Sequence, residues 1–220
     1  MKTVAVIPAF NEGSRIKYVV AKAINYVDIV IVVDDGSTDD TFEMSNNIDV
    51  KVTTLRHKIN LGKGAALKTG CEAALKLGAD IIVLMDADGQ HNAEDIPRFI
   101  KEITQTDVAI VFGSRKIGKA MPFIMMLGNK FLSLTTALLF KIYITDTQSG
   151  FRAMRADIYS KIKWDSPRYS VETEMVVKVG KNKLKFKEIL IETIYSDNYK
   201  GTTFIDGIRI FINMLIWRIV

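Results

Sequence analysis

Short apolar runs alternate with helical patterns along the first half of the chain. Five runs rich in β-branched residues predict strands, at 3–10, 28–35, 50–55, 80–86 and 107–113. Helical spacing fills the intervals, at about 14–26, 38–46, 63–78 and 93–105. Strands that are apolar on both faces and alternate with helices predict an α/β, Rossmann-like fold, in which a mostly parallel sheet is flanked by helices.

Local signals refine this pattern. Ser37 is the predicted N-cap of the second helix, and Gly78 is the predicted stop of the third. Residues 148–162 and 169–180 predict a turn and two short helices, and residues 185–196 predict a late strand.

Two apolar helices follow the first half, at 121–144 and 204–220. The first approaches the roughly 20 residues that cross a bilayer. Asn129, Lys130 and Lys141 disfavour full insertion, because a charge at mid-span is costly. Both segments therefore predict amphipathic helices lying at a membrane interface, with ordinary core or dimer contacts as the alternative.

Size and charge are compatible with a single domain spanning 1–220. The chain has 220 residues, is 48% hydrophobic and carries a net charge of +5. No acidic residue lies between Asp107 and Asp146, where the sequence is apolar and basic. Such a stretch suits phosphate groups or an anionic membrane surface better than nucleic acid, and a solvated basic face is the alternative.

The single cysteine, Cys71, lies in a helical pattern, so no disulfide framework is expected and a reducing compartment is indicated. The first residues enter a strand directly, without the charged and apolar regions of a signal peptide. We therefore expect an intracellular protein.

Candidate site residues, most of them polar, lie at or just after the ends of four predicted strands. They are Pro8, Phe10, Asn11 and Glu12 after the first, Asp34, Asp35, Gly36 and Ser37 after the second, Asp86, Asp88 and Gln90 after the fourth, and Arg115 after the fifth. Ligands of open parallel sheets bind beyond the carboxyl ends of the strands. These side chains are therefore expected to converge on one site.

Asp86, Asp88 and Gln90 form an oxygen-only set, which suits Mg²⁺ or Mn²⁺ rather than zinc. Because Mg²⁺ usually binds few carboxylates together with substrate phosphates, a nucleotide diphosphate is the expected ligand. A simple Asp-Gly turn is one alternative. A haloacid-dehalogenase-like phosphatase is another, although its motif usually opens the domain and continues with Thr, where Gln90 stands here.

Five motifs in order, "VIPAFNEGSRI", "VVDDGSTDDT", "NLGKGAALKTG", "DADGQH" and "TDTQSGFRA", resemble family 2 glycosyltransferases with the GT-A fold. Within that family the chain is similar to the dolichol-phosphate (polyprenyl-phosphate) sugar synthases. The resemblance implies a metal-dependent, inverting transfer of a sugar from a nucleotide sugar to dolichyl or polyprenyl phosphate. It also implies a peripheral enzyme at the cytoplasmic face of the membrane, and we allow for a homo-oligomer.

The resemblance assigns roles at matching positions. Nucleotide-sugar contacts are expected at Pro8, Phe10, Glu12, Asp35, Asp86 and Ala87. Metal ligands are expected at Asp88 and Gln90, and contacts to the acceptor phosphate at Arg115, Lys178 and Lys200. The catalytic set is predicted to comprise Asp86, Asp88, Arg115 and Asp146, with Asp146 as a candidate base that can equally cap a turn.

Other residues are interpreted more locally. A lipid phosphate is already largely dianionic at neutral pH, so it requires cations rather than a base, and Lys130 and Arg152 are further candidates. His91 is expected to contact phosphate or to cap the next helix, and His57 is expected at the surface. The glycines of "NLGKGAA" are expected to let a helix start close to the donor.

One departure concerns the donor. GDP-mannose-using relatives typically carry R-x-x-G-x-S-K late in the chain, where this sequence reads "NYKGTTF", so UDP-glucose or UDP-N-acetylglucosamine is favoured. Two alternatives remain open: a soluble family 2 transferase acting on a saccharide or protein hydroxyl, and a non-catalytic nucleotide-sugar-binding protein.

Overall fold

A computed structural model describes residues 1–115, 123–168, 170–194 and 204–219. The strands are β1 (Thr3–Ala9), β2 (Ile29–Asp34), β3 (Val52–Arg56), β4 (Ile81–Leu84), β5 (Ile110–Arg115), β6 (Arg152–Arg155) and β7 (Phe186–Ile191). The helices are α1 (Gly13–Ala23), α2 (Thr41–Ser45), α3 (Lys63–Lys76), α4 (Ile96–Gln105), α5 (Phe123–Phe140), α6 (Tyr159–Ile162), α7 (Val171–Lys181) and α8 (Phe204–Ile219).

The seven strands form one sheet in the order β3-β2-β1-β4-β6-β5-β7. All neighbouring strands run parallel except β6, which is antiparallel to β4 and β5. The chain moves outward from β1 to β3 and then returns to the other side of β1 at β4. This change of direction opens a crevice at the carboxyl ends of β1 and β4. The predicted α/β fold is confirmed.

Alternating residues of the central strands build a separate core on each face of the sheet. Val4 and Val6 of β1 pack in the core that includes α3, α7 and α8, whereas Ala5 and Ile7 pack with α1 and α4. Because both faces are covered, the central strands have no polar alternation, which is why they read as continuous apolar runs.

The turn at residues 147–148 and the two short helices, α6 and α7, are confirmed, but the strand β6 between the turn and α6 was not predicted. Ala153 and Met154 are buried, but charged residues flank them, so four residues give no recognisable apolar run. Leu84, at the end of β4, pairs with Arg152, at the start of β6. The preceding loop therefore arrives at the carboxyl end of the sheet, and the chain must run back antiparallel.

Helix ends differ in part from the prediction. Gly78 follows α3 with φ of 75°, as expected for a helix stop. Ser37 is not an N-cap, because α2 begins at Thr41 and the Ser37 hydroxyl instead accepts from the Asn11 amide at 2.9 Å. The first apolar helix ends at residue 140 rather than at the predicted residue 144. Lys141, which follows its last residue, adopts φ of 57°.

The two apolar helices, α5 and α8, pack against each other. The Phe131 and Phe211 rings lie 5.2 Å apart between centroids. The helix α8 also contacts the start of α7, where Asn213 Nδ2 donates to Ser170 Oγ at 3.1 Å. Within the described ranges, no helix combines the length and hydropathy required to cross a membrane. Residues 121, 122 and 220 of the predicted helices lie outside those ranges.

Candidate active site

The polar residues predicted to converge lie at one edge of the sheet. Asp35 follows β2, Asp86 follows β4, and Arg115 is the last residue of β5. The Asp35 amide donates to Ala9 O at 2.8 Å, which joins the end of β2 to the end of β1. The carboxyl ends of four strands thus surround the crevice.

A lysine bridges two carboxylates at the centre of this crevice. Lys63 Nζ lies 2.6 Å from Asp86 Oδ1 and 2.7 Å from Glu172 Oε1. Burial alone would lower the pKa of Lys63, but the two carboxylates raise it above its ordinary value. Lys63 is therefore a charged cross-link between the start of α3, the end of β4 and the start of α7.

Glycines make this cross-link possible by letting the chain before α7 approach α3. A Cβ atom at Gly64 would lie 2.1 Å from Ser166 O, and one at Gly62 would lie 2.4 Å from Pro167 O. Trp164 Nε1 donates to Gly64 O at 2.7 Å in the same contact. The glycines of "NLGKGAA" therefore serve packing against residues 164–167, a neighbour that the sequence did not reveal.

Asp86 is held in its ionised form by its surroundings. Burial raises its pKa, but the charges of Lys63 and Arg115 and the hydrogen bond from Lys63 outweigh burial and bring the pKa below its ordinary value. A Cβ atom at Gly150 would lie 2.5 Å from Asp86 Oδ2, so the loop before β6 packs directly on this carboxylate.

Asp88 and Gln90 lie in a tight turn after β4. Asp88 Oδ1 accepts from the Gln90 amide at 2.9 Å, and Gly89 adopts φ of 77°. Burial and the charge of Asp86 raise the pKa of Asp88. The turn interpretation of "DADG" is therefore correct as geometry, and the two neighbouring carboxylates leave a local excess of negative charge that a divalent cation would relieve.

His91 supports Asp86 rather than capping a helix. Its Nδ1 accepts from the Asp86 amide at 3.1 Å, and its ring stacks on Phe151 at 4.9 Å between centroids. Burial lowers the pKa of His91, in keeping with an unprotonated Nδ1 that accepts. The expected helix cap was wrong, because the Asn92 side chain accepts from the Glu94 amide instead, at 3.1 Å.

Arg115 and Asp146 form a two-pronged ion pair. Arg115 Nε lies 2.6 Å from Asp146 Oδ2, and Nη2 lies 2.9 Å from Oδ1. Asp146 is buried, and both of its oxygens accept from Arg115. This geometry favours a role for Asp146 in orienting Arg115 over a role as general base.

Arg152 is a core residue, although it was considered as a phosphate contact. Its guanidinium donates to Ser149 O at 3.0 Å, Glu172 O at 2.7 Å and Thr147 O at 2.9 Å. Burial lowers its pKa to about 10. Arg152 therefore ties the loop before β6 to the start of α7, next to the Lys63 cross-link.

At the other end of the crevice, Asp35 organises the loop that precedes α3. It accepts from the Leu61 amide at 3.0 Å and from the Gly62 amide at 2.7 Å. His57 was expected at the surface, which is wrong: its ring contacts Asp35 at 2.7 Å and Thr69 at 2.9 Å. An open cavity of about 330 Å³ lies beside this loop, lined by Gly36, Ser37, Arg56, His57 and Lys58.

The remaining nucleotide candidates surround the end of β1. Pro8 lies within the strand and is buried, Phe10 is 42% exposed, and Glu12 is buried and pairs with Arg15 at 2.8 Å. Ala87 is buried in the core that contains Ala9. Their contacts with a nucleotide sugar stay predictions, and the exposed ring of Phe10 is available for stacking.

The predicted phosphate contact Lys178 is engaged in contacts between α6 and α7. Lys178 Nζ lies 3.1 Å from Glu174 Oε1 and 3.3 Å from Asp165 Oδ2, and it also donates to Lys163 O, at the junction of α6 and α7. Lys200 lies outside the described residues. A phosphate-binding role for either lysine stays a prediction.

Lys63 and Glu172 are site residues that the sequence interpretation missed. One signal was present for Lys63: a cation in the first turn of a helix opposes the helix dipole and indicates a nearby anion. Glu172 gave no such signal, since acidic residues are ordinary at helix starts. Within the described part of the chain, no group of three or more His, Cys, Asp or Glu side chains is arranged to hold a metal.

Comparison with known proteins agrees with this architecture. Residues 4–163 match the model of the glycosyl transferase family 2. The chain is 37% identical to the UDP-N-acetylglucosamine–dolichyl-phosphate N-acetylglucosaminyltransferase of Methanococcus voltae, with 97% of this chain and 94% of that protein covered. It is 28% identical to the undecaprenyl-phosphate mannosyltransferase of Micrococcus luteus, with 87% and 83% covered.

A solved structure shares the fold at lower identity. The glucosyl-3-phosphoglycerate synthase from Mycobacterium tuberculosis, in complex with Mn²⁺, UDP and phosphoglyceric acid, aligns with a TM-score of 0.76 and 19% identity, covering 99% of this chain and 78% of that one. Together with the family match and the strand order, this alignment leads to one conclusion: the chain is a GT-A-fold glycosyltransferase and belongs to family 2.

Proposed function

We propose that this enzyme transfers a sugar from a nucleotide sugar to dolichyl or polyprenyl phosphate. The observation that carries the proposal is the position of Arg115 at the open end of the sheet, held by Asp146 and close enough to Asp86 for its charge to lower the pKa of that carboxyl. A cation next to an oxygen-rich set provides for two phosphorylated ligands, one bound through a metal and one bound directly. The Methanococcus relative, whose substrates are named as UDP-N-acetylglucosamine and dolichyl phosphate, supports the same assignment.

The donor is bound across the crevice. In this proposal Phe10 and Asp35 contact the nucleoside, Glu12 and Pro8 shape its pocket, and Asp86 and Ala87 contact the sugar-bearing end. UDP-N-acetylglucosamine and UDP-glucose are favoured over GDP-mannose, because the sequence lacks the cationic "R-x-x-G-x-S-K" element.

Asp88 and Gln90 are proposed to ligate Mg²⁺ or Mn²⁺. The donor set fits such an ion because it contains only hard oxygen ligands, and the charge of Asp86 adds to that of Asp88. When bound, the cation stabilises the charge that develops on the leaving diphosphate. Lys63 Nζ lies 2.6 Å from Asp86 Oδ1 and keeps the Asp86 carboxylate in place.

The acceptor phosphate is proposed to bind at Arg115. A phosphate oxygen attacks the anomeric carbon as the bond to the diphosphate breaks, which inverts the configuration at that carbon. This nucleophile carries its negative charge already, so the enzyme has to orient it rather than deprotonate it. Asp146 provides that orientation indirectly, by holding the Arg115 guanidinium in a two-pronged pair.

The exposed side of α5 supports a peripheral position at a membrane surface. Apart from Lys130, its exposed side chains are apolar, with Leu127 57% and Leu138 83% exposed, while its buried face includes Ser133 and Thr136 beside Leu132. A helix in water normally has the opposite arrangement. The exposed isoleucines of the adjacent α8 continue the same surface, which suits the headgroup region where a polyprenyl phosphate presents its phosphate.

A donor and acceptor panel tests the proposal. Radiolabelled UDP-N-acetylglucosamine, UDP-glucose or GDP-mannose is incubated with the enzyme, Mg²⁺ and polyprenyl phosphate, and the label is followed into the organic phase. We expect transfer from a UDP-sugar, abolished by Asp88→Ala. Label that enters only a soluble saccharide acceptor would overturn the lipid assignment, and transfer from GDP-mannose alone would overturn the donor assignment.

A further inference from the structure

Asn129 joins the apolar helix α5 to the loop that contains Asp146. Its Nδ2 donates to Thr145 O at 3.0 Å, and its Oδ1 accepts from both the amide and the hydroxyl of Thr147 at 3.2 Å. Asn129 and Thr147 are buried. One side-chain amide therefore holds the residues on both sides of Asp146.

The loop that contains Asp146 connects Asn129 to Arg115. Asp146 lies between the two threonines and pairs with the Arg115 guanidinium, and it also accepts from the Arg115 amide at 3.2 Å. Thr145 is fixed further by its hydroxyl, which contacts Ser114 at 2.6 Å and Glu188 at 2.8 Å. A shift of Asn129 would thus change the position of Asp146 relative to the end of β5.

Asn129 and the exposed leucines lie on opposite faces of α5. Positions 129, 133 and 136 recur on the buried face, and positions 127, 134 and 138 recur on the exposed one. Because α5 is one continuous helix of 18 residues, a change in its position at the exposed leucines also moves Asn129. The sequence around α5 is basic and free of acidic residues between Asp107 and Asp146, which complements an anionic lipid surface.

We propose that Asn129 is a positioning residue that links the seating of α5 on an anionic lipid surface to the Arg115–Asp146 pair. The lipid surface and the acceptor role of Arg115 rest on the proposed function. The link through Thr145 and Thr147 rests on contacts within the chain. Binding of α5 to lipid thus orders the acceptor end of the site and leaves the nucleoside end, around Asp35, unchanged.

Hydrogen exchange measured with and without phosphatidylcholine–phosphatidylglycerol vesicles tests the link without requiring transfer. In the wild-type enzyme we expect vesicles to slow exchange of the Thr147 and Arg115 amides by about tenfold. In Asn129→Leu, which removes both ends of the amide, the same vesicles should protect α5 but leave those two amides unchanged. Ser133→Ala is the matched control, because its hydroxyl bonds only to the carbonyl of Asn129 within the helix.

A second variant, Asn129→Asp, keeps the test decisive if Asn129→Leu fails to fold. Asn129→Asp retains an acceptor for Thr147 and loses the donor to Thr145, so it should show part of the wild-type response. Steady-state rates give an independent measure: both variants should raise KM for the polyprenyl phosphate about tenfold and leave KM for the nucleotide sugar within about twofold.

The outcomes separate the two proposals. Vesicle protection that stops at α5 and α8 in the wild-type enzyme, or persists at Thr147 in Asn129→Leu, overturns the link even when transfer to lipid is observed. Failure of the wild-type enzyme to bind the vesicles overturns it as well. Absence of transfer with an intact exchange response overturns the proposed function and supports the link.

Discussion

Lys63 stands where a helix disfavours a cation, and its two ion pairs account for that position. The first turn of α3 carries the positive end of the helix dipole. Asp86 and Glu172, at 2.6 and 2.7 Å, supply two negative charges that outweigh it. The three groups together carry one net negative charge, so neither carboxylate is left unpaired beside the proposed phosphates.

Replacing Lys63 by Met should damage both activity and stability. The variant leaves two carboxylates without their cation, and because Lys63 and Asp86 are about one-fifth exposed the cost should fall below the roughly 3–5 kcal/mol of a fully buried pair. We expect kcat/KM to fall by roughly 100-fold or more and the free energy of unfolding to fall measurably, as followed by transfer rates and urea denaturation. Lys76→Met, at the exposed end of the same helix, is the control and should change neither.

The double variant Lys63→Met with Glu172→Gln separates the two effects. It removes one of the two unpaired charges, so stability should recover in part while activity stays low. Activity within about twofold of wild type in Lys63→Met alone would contradict a role for the cross-link in the site.

His57 makes a second prediction at the scale of single residues. It buttresses Asp35 at 2.7 Å, and Asp35 in turn holds the amides of Leu61 and Gly62. Loss of the ring in His57→Ala should loosen this loop and weaken UDP binding about tenfold by isothermal calorimetry, given that one buried hydrogen bond contributes roughly 1–2 kcal/mol. Lys51→Ala, an exposed residue at the opposite end of β3, should leave UDP affinity unchanged, and an equal loss in both variants would refute the assignment.

Sequence predicted these residues unequally, for a physical reason. Asp35, Asp86 and Arg115 were identifiable because each directly follows or ends an apolar run, and the parallel sheet brings such ends together. The ion-pair partner of Asp86 was not identifiable. Lys63 and Glu172 meet only after α3 and α7 have packed, and local sequence does not specify that contact.

The same difference separates the strands that were predicted from the one that was missed. Strands covered on both faces were predicted because burial itself produces the apolar runs. The strand β6 was not, since its pairing is imposed by β4 and β5 rather than by its own four residues. That antiparallel return places Asp146 and Gly150 at the site, so the missed strand explains how the loop before it reaches Asp86.

At the scale of elements, we predict that substitutions can remove the lipid-binding surface of α5 without unfolding the protein. Leu127→Ser combined with Leu138→Ser should reduce the affinity for anionic vesicles, measured by flotation, about 30-fold or more, because each exposed leucine contributes roughly 1–2 kcal/mol when it enters an apolar environment. The free energy of unfolding should change little, since both side chains are exposed.

Two comparison variants make this test specific. Leu77→Ser changes an exposed leucine after α3 and should leave flotation unchanged. Leu132→Ser changes a buried leucine of α5 and should destabilise the fold by about 2–5 kcal/mol. Undiminished flotation of the double variant would exclude α5 as the lipid-binding surface.

In the whole molecule, the proposed metal ligands and the apolar surface belong to different parts of the fold. Asp88 and Gln90 follow β4 at the end of the sheet, whereas the exposed leucines and isoleucines lie on α5 and α8. The connection between them runs through Asn129 and the Asp146 loop and contains no proposed metal ligand. Metal binding and lipid binding should therefore be separable.

Removal of divalent ions tests this separation. After treatment with EDTA we expect sugar transfer to fall by about 100-fold or more, because the charge on the leaving diphosphate is no longer stabilised, while flotation with vesicles stays unchanged. Added Mg²⁺ or Mn²⁺ should restore transfer in the wild-type enzyme but not in Asp88→Ala. Full transfer after exhaustive chelation would contradict the metal assignment. Loss of flotation on chelation would instead mean that the ion organises α5, and the two parts of the molecule would then have to be treated as one cooperative unit.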